Sequence, residues 1–215
     1  MKIEQDLLTL SKYKSMSLQR KIVIRYSLFA LSLLLGVAIY IGDFYLYEVP
    51  YVALFQQAIL RAKAMYFFQI ITYLGDSLTW VGLTLLFLVV NIKNPRQVLK
   101  LSLTLAIVWA AVTVLRYTLN YPRPFQRFPT LVTAYTSESA PSYPSGHTAT
   151  TVGGFYILAN HQRLLYVLSC SLVVLVALSR VVLGLHYFSD LLGGVLLSYP
   201  LAATFDDLQF FKRFK

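Results

Sequence analysis

Residues 22–41, IVIRYSLFALSLLLGVAIYI, decide the fold class, because they are apolar nearly throughout, with Arg25 close to the leading edge. A helix rises 1.5 Å per residue, so about 20 such residues cross a hydrocarbon core about 30 Å thick. The stretch that follows, IGDFYLYEVP (residues 41–50), offers no small-residue cleavage site. The run therefore reads as a retained anchor rather than a signal peptide. Further along, five more stretches fit a crossing: Ser77–Asn91, Val98–Tyr117, Gly146–Asn160, Leu164–Leu183 and Tyr187–Thr204. The second and fourth of the six are short for a full span. The expected fold is all-α: a polytopic membrane protein with six transmembrane helices in a bundle, forming one membrane-embedded domain over residues 1–215.

Composition agrees. The chain is 57% hydrophobic and 13% charged, against about 45–50% and about 25% for ordinary soluble domains. A disordered chain and a water-soluble globule are both disfavoured. The single cysteine, Cys170, rules out an intramolecular disulfide framework. Inside the apolar fifth stretch it reads as a small core residue.

Between the first two spans, Pro50 opens YVALFQQAILRAKAMYFFQIITYLGD (residues 51–76), which is apolar but interrupted by Gln56, Gln57, Arg61, Lys63 and Gln69. This pattern suits helices lying at the membrane interface. A second span starting early, at Ala64, suits it equally.

The formal charge of +10 comes from 19 Lys and Arg against 9 Asp and Glu. With both termini cytoplasmic, residues 1–21 form an N-terminal cytoplasmic segment. Only Arg61, Lys63, Arg116, Arg123, Arg127 and Arg180 then fall on the outer side. The remaining basic residues, Lys93 and Lys212 among them, lie inside or at its border, which is the positive-inside bias. The basic balance is thus a topology signal with some attraction to anionic headgroups, and no nucleic-acid partner is implied.

Polar residues are the informative ones in such a chain. Three islands stand out: RYTLNYPRP (116–124), YPSGHT (143–148) and SRVVLGLHYFSD (179–190). All three fall on the outer face under this topology. Arg116, Arg123 and Arg180 present planar forks of donors suited to phosphate oxygens. Ser145 and Gly146 open a helix whose free N–H groups favour an anion, with Gly146 permitting close backbone approach. His147 and His186 supply proton chemistry or a nucleophile. Asp190, four residues after His186, is placed to orient its imidazole.

Each piece taken alone has a plainer role. An arginine at a span end commonly anchors topology, PSGH can be a turn with a helix cap, and His186 with Asp190 can be a structural pair. Arg127 reads as a loop or headgroup contact, and His161 as a solvated loop residue. No cluster at ligand spacing accompanies the two histidines, so neither a metal nor another cofactor is expected. Nothing in the sequence specifies an oligomeric state.

In this order, the islands resemble the type 2 phosphatidic acid phosphatase superfamily of membrane lipid phosphatases. Its pattern is a basic residue, six residues and Arg-Pro; then Pro-Ser-Gly-His; then Ser-Arg, five residues, His, three residues, Asp. Arg116 to Arg123-Pro124, Pro144 to His147, and Ser179-Arg180 to His186 and Asp190 match every spacing. The one departure is Arg116, where the family most often has lysine.

The resemblance implies metal-independent hydrolysis of a lipid phosphomonoester or diphosphate through a phosphohistidine. His186 would be the nucleophile, Asp190 its orienting partner and His147 the acid and then base. Arg116, Arg123, Ser145, Gly146 and Arg180 would hold the phosphate. By analogy, an isoprenoid diphosphate such as undecaprenyl diphosphate leads the substrate order, ahead of phosphatidylglycerol phosphate, phosphatidic acid and lipid A phosphates. The expected location is the cell inner (plasma) membrane, with the site on the periplasmic or extracellular side for a bacterial chain and facing a lumen for a eukaryotic one. The segment from Phe125 to Tyr143 is expected to cover the site. A lipid phosphotransferase and a non-catalytic lipid carrier are the competing readings.

Overall fold

In a computed structural model, residues 2–92, 95–159 and 163–207 are described, with side chains from residue 18 onward. His161, Lys93 and the basic C-terminal residues lie outside them. The described residues form nine α-helices and one 3-10 turn: α1 (Lys2–Gly42), α2 (Tyr45–Arg61), α3 (Met65–Ile71), the turn Thr72–Gly75, α4 (Ser77–Val90), α5 (Pro95–Leu119), α6 (Pro124–Arg127), α7 (Gly146–Leu158), α8 (Arg163–Val182) and α9 (Phe188–Asp207).

Four helical stretches are long and apolar enough to cross a membrane: Leu18–Gly42, Pro95–Arg127, Arg163–Val182 and Phe188–Asp207. Met65–Gly75 with Ser77–Val90 makes a fifth if the two are counted as one broken span, bent by 55°. The break falls at Asp76, whose carboxylate accepts the Leu78 N–H at 2.7 Å and starts α4 as a new helix. Both readings of residues 64–91 thus hold part of the answer.

The fourth expected stretch is different. Helix α7 has 13 residues, about 20 Å of length, and it packs against α5, α8 and α9. Thr148, Thr150, Thr151, Gly153 and Gly154 are buried in it. Protein, not lipid, surrounds this helix, so it carries small and hydroxylated residues that a lipid-facing span does not favour. The approach is close: a Cβ added to Gly154 would lie 2.0 Å from the Trp80 ring. The outer surface is reversed in character, with Leu34, Leu85, Val167 and Leu192 all more than half exposed.

Two expectations are corrected. Helix α2 begins at Tyr45, so Pro50 lies inside it and does not open it; contacts of Tyr45 and Glu48 with α9 hold the turn ahead of the proline. Cys170 is exposed and not part of the core, because α8 turns that side of its N-terminal half outward.

Candidate active site

The three islands meet at one end of the bundle, where α5 ends and α7 and α9 begin. Arg116 ends α5 and donates from Nε to the Pro144 carbonyl at 3.1 Å. Its guanidinium lies against the N-terminus of α7: a Cβ on Gly146 would sit 3.0 Å from Arg116 Nη2. Ser145 caps that helix, its hydroxyl accepting from the Thr148 N–H at 3.5 Å and the Thr148 hydroxyl at 3.1 Å. The capping role and an anion site are compatible, since Ser145 keeps its own O–H to donate.

Arg123 is fully buried. Its Nε donates to Ala140 O at 2.6 Å and its Nη1 to Leu185 O at 2.9 Å. Nη1 also lies 3.2 Å from His186 Nε2. Since a guanidinium only donates, Nε2 must accept, and the imidazole proton belongs on Nδ1. That nitrogen faces Asp190 Oδ2 at 3.1 Å. Burial, reinforced by Arg123, Arg180 and Arg116, holds His186 well below the ordinary histidine range. The ring is therefore neutral, with its lone pair on Nε2.

Asp190 is fixed from four directions. Its Oδ2 accepts from Ser142 Oγ at 2.5 Å, the Tyr187 N–H at 2.9 Å and His186 Nδ1. Its Oδ1 accepts from Tyr45 Oη at 2.6 Å. Arg180, also buried, donates to Thr72 Oγ1 and to Glu138 Oε2, each at 2.7 Å. Glu138 lies 3.5 Å from Arg123 Nη2, near enough for attraction and too loose for a good hydrogen bond.

His147 faces a polar cavity of about 260 Å³, lined with it by Arg116, Glu138, Gly146, Asp76 and Thr150. Three buried guanidinium donors at this end have no hydrogen-bond partner among the described residues: Arg116 Nη2, Arg123 Nη2 and Arg180 Nε. Arg116 and the positive end of α7 thus face the cavity directly, with Glu138 and Asp76 as its carboxylates, and Arg123 and Arg180 adjoin it through Glu138. Such an arrangement is built to take an anion. A second, apolar cavity of about 390 Å³ between α4 and α5 shares Ser77, Trp109 and Thr150 with the polar one.

The structure brings all eight sequence-nominated residues to this end, and it adds others. Residues from the 125–143 segment enter the site directly: Glu138, Ala140 and Ser142. Glu138 carried a usable signal, being the single acidic residue between Asp76 and Asp190. Tyr45 and Thr72 carried none, since their partners lie more than a hundred residues away. Arg127, expected to touch loop or headgroup, instead forms a two-pronged ion pair with Asp43, with Tyr121 bonded to both. Those bonds hold the Asp43 carboxyl below the usual range.

The sequence profile of the PAP2 superfamily matches residues 97–212. The chain belongs to this superfamily. Among curated PAP2 relatives, phosphatidylglycerophosphatase B of Bacillus subtilis is 34% identical over 92 residues, 36% of this chain and 44% of the relative. An undecaprenyl-diphosphatase of Sulfolobus acidocaldarius is 33% identical over 131 residues, 57% of this chain and 60% of the relative. Both matches thus span less than two thirds of the relatives' own length. Two solved structures share the fold. A transmembrane PAP2-type phosphatidylglycerolphosphate phosphatase from Bacillus subtilis aligns over 89% of this chain and 97% of its own, with a TM-score of 0.76 at 24% identity. LpxE of Aquifex aeolicus aligns over 75% and 95%, with a TM-score of 0.63 at 20% identity.

Proposed function

We propose that this PAP2 protein is an integral membrane phosphatase that releases phosphate from a lipid phosphomonoester or diphosphate through a phosphohistidine. One observation carries the reading: a polar cavity lined by Arg116 and His147, with the buried guanidinium groups of Arg123 and Arg180 joined to it through Glu138, adjoins an apolar cavity. A molecule with a phosphate head and a hydrocarbon tail fits both spaces at once.

In the first step His186 Nε2 attacks phosphorus, a P–N bond forms and the bond to the lipid oxygen breaks. His147 gives its proton to that departing oxygen. In the second step water attacks phosphorus, His147 takes a proton from it, and the P–N bond breaks to free phosphate and His186. Asp190 keeps the Nδ1 proton in place and stabilises the positive charge on the phosphorylated ring. Arg116, Arg123, Arg180, Ser145 and the Gly146 N–H hold the phosphoryl oxygens and offset their charge in the transition state. Charge neutralisation is thus assigned to guanidinium groups, without a metal. To engage phosphate, Arg123 turns from Nε2, and the ligand takes over Arg180 from Glu138.

The six-span reading counts α1, the α3–α4 pair, α5, α7, α8 and α9, with α2 at the interface. The basic residues then set both termini in the cytoplasm and the site on the outer side. An isoprenoid diphosphate is the favoured substrate, followed by phosphatidylglycerol phosphate and phosphatidic acid.

The test is phosphate release by purified protein on a panel of these lipids, beside His186→Ala. Release should fall by at least about 10³-fold in the variant, with lipid binding retained. Near-normal release by His186→Ala would sink the mechanism, and label appearing in a second lipid instead of free phosphate would make the protein a phosphotransferase.

A further inference from the structure

Helix α2 lies outside the residues matched by the PAP2 profile. Three of its side chains nevertheless reach the catalytic end. Tyr45 Oη donates to Asp190 Oδ1 at 2.6 Å, Glu48 accepts the Ser189 N–H at 3.0 Å, and Gln56 donates to Val182 O at 2.9 Å. Tyr45 is fully buried. Its ring stacks on Tyr187 with centroids 3.7 Å apart and meets Tyr121 edge-on at 4.2 Å. The ring is held by packing, which leaves the hydroxyl free to serve Asp190.

The two oxygens of Asp190 are loaded unequally. Oδ2 carries Ser142, the Tyr187 N–H and His186, whereas Tyr45 is the partner of Oδ1. A carboxylate pinned on one side can still rock about its Cβ–Cγ bond, and any rocking moves Oδ2 out of line with Nδ1–H. Clamping Oδ1 removes that freedom. Without the hydroxyl, a buried carboxylate oxygen is left unpaired, which is the costly case. The imidazole then loses its fixed tautomer, and the share of molecules with a lone pair on Nε2 falls.

We propose that Tyr45 is a positioning residue of the catalytic centre: its hydroxyl clamps Asp190 Oδ1 so that Oδ2 holds His186 Nδ1–H and Nε2 stays aimed at phosphorus. The inference rests on the reading of His186 as nucleophile.

Tyr45→Phe keeps the ring stack and removes only the hydroxyl. Purified with the wild type and His186→Ala, it should elute and melt as a folded protein. Its kcat should fall about tenfold with KM within about twofold, and formation of the acid-labile phosphoenzyme should slow by the same factor. In an Asp190→Asn background the change should cost nothing further, because Tyr45 acts through Asp190; an added loss there overturns the proposal. So does folded Tyr45→Phe with wild-type kcat, or with a loss confined to KM. If His186→Ala retains turnover, the nucleophile reading itself has failed. If His186→Ala is dead and Tyr45→Phe is unimpaired, only the role of Tyr45 falls. Should Tyr45→Phe not fold, 3-fluorotyrosine at position 45 keeps ring and hydroxyl but makes a stronger donor. A changed kcat then supports the clamp, and an unchanged one overturns it.

Discussion

The two ends of the helical bundle use basic residues in opposite ways. At the end where α9 finishes, Arg25 pairs with Asp207 at 2.6 Å and Lys100 with Asp206 at 2.7 Å. Each of these two cations meets an acid, and the four side chains keep partial contact with the surroundings. At the end where α9 starts, Arg123 and Arg180 share Glu138, and one donor each of Arg116, Arg123 and Arg180 is buried without a hydrogen-bond partner among the described residues. Desolvating guanidinium groups without full pairing is costly. Charges paired one to one fasten helices; guanidinium donors left over beside a polar cavity are suited to an anion.

The sharpest way to break this contrast is Arg123→Ala. It removes the donor beside His186 Nε2 and a guanidinium assigned to the phosphoryl oxygens, so kcat/KM should fall about 10²- to 10³-fold, as for loss of a transition-state donor. Steady-state phosphate release in detergent checks it, and a loss of less than about threefold would mean the unpartnered donors are not there for substrate. Glu138→Gln sharpens the contrast from the other side. Glu138 is the anion already in place, so neutralising it should tighten inhibition by inorganic phosphate by about five- to tenfold, consistent with loss of one close opposing charge. Unchanged or weaker inhibition would show that Glu138 does not compete for the arginines. The smallest effect belongs to the opposite end. Replacing Lys100 and Asp206 together by Met and Leu should leave turnover within about twofold and change stability by about 1 kcal/mol or less, because partly exposed pairs contribute little. Thermal unfolding and activity on one preparation test this; a large activity loss would blur the distinction between the ends.

The legible and illegible parts of this protein divide along a similar line. Helix boundaries for the third, fifth and sixth stretches, and the C-terminal end of the first, are readable because apolar residues mark the lipid-facing length; α1 itself starts earlier, at Lys2, in a polar segment. Val98–Tyr117 falls inside α5, and Leu164–Leu183 agrees with α8 to within a residue at either end. Helix α7 was legible in extent, Gly146–Asn160 against Gly146–Leu158, but not in setting, because hydropathy summed along a helix does not tell whether protein or lipid surrounds it. Cys170 was misplaced for a related reason: within a uniformly apolar helix, the sequence does not tell which face meets lipid. Arg127 looked unattached because its acid, Asp43, is 84 positions away.

At the candidate site, the eight residues nominated from the three islands come together at one end of the bundle, and their nomination needed only residue chemistry and short-range motif spacing. Their supports were not legible in that way. Tyr45 and Asp190 stand 145 positions apart, Arg180 and Thr72 stand 108, and Glu138 reaches the arginines from an irregular segment with no periodicity. Local chemistry along the chain thus determined that this is a helical membrane protein carrying the three PAP2 motif segments, because membrane partitioning and motif spacing act over short stretches. Tertiary structure decided which guanidinium donors stay unpaired, which carboxylate faces them and which hydroxyl steadies Asp190, because those outcomes depend on helices distant in sequence packing side by side.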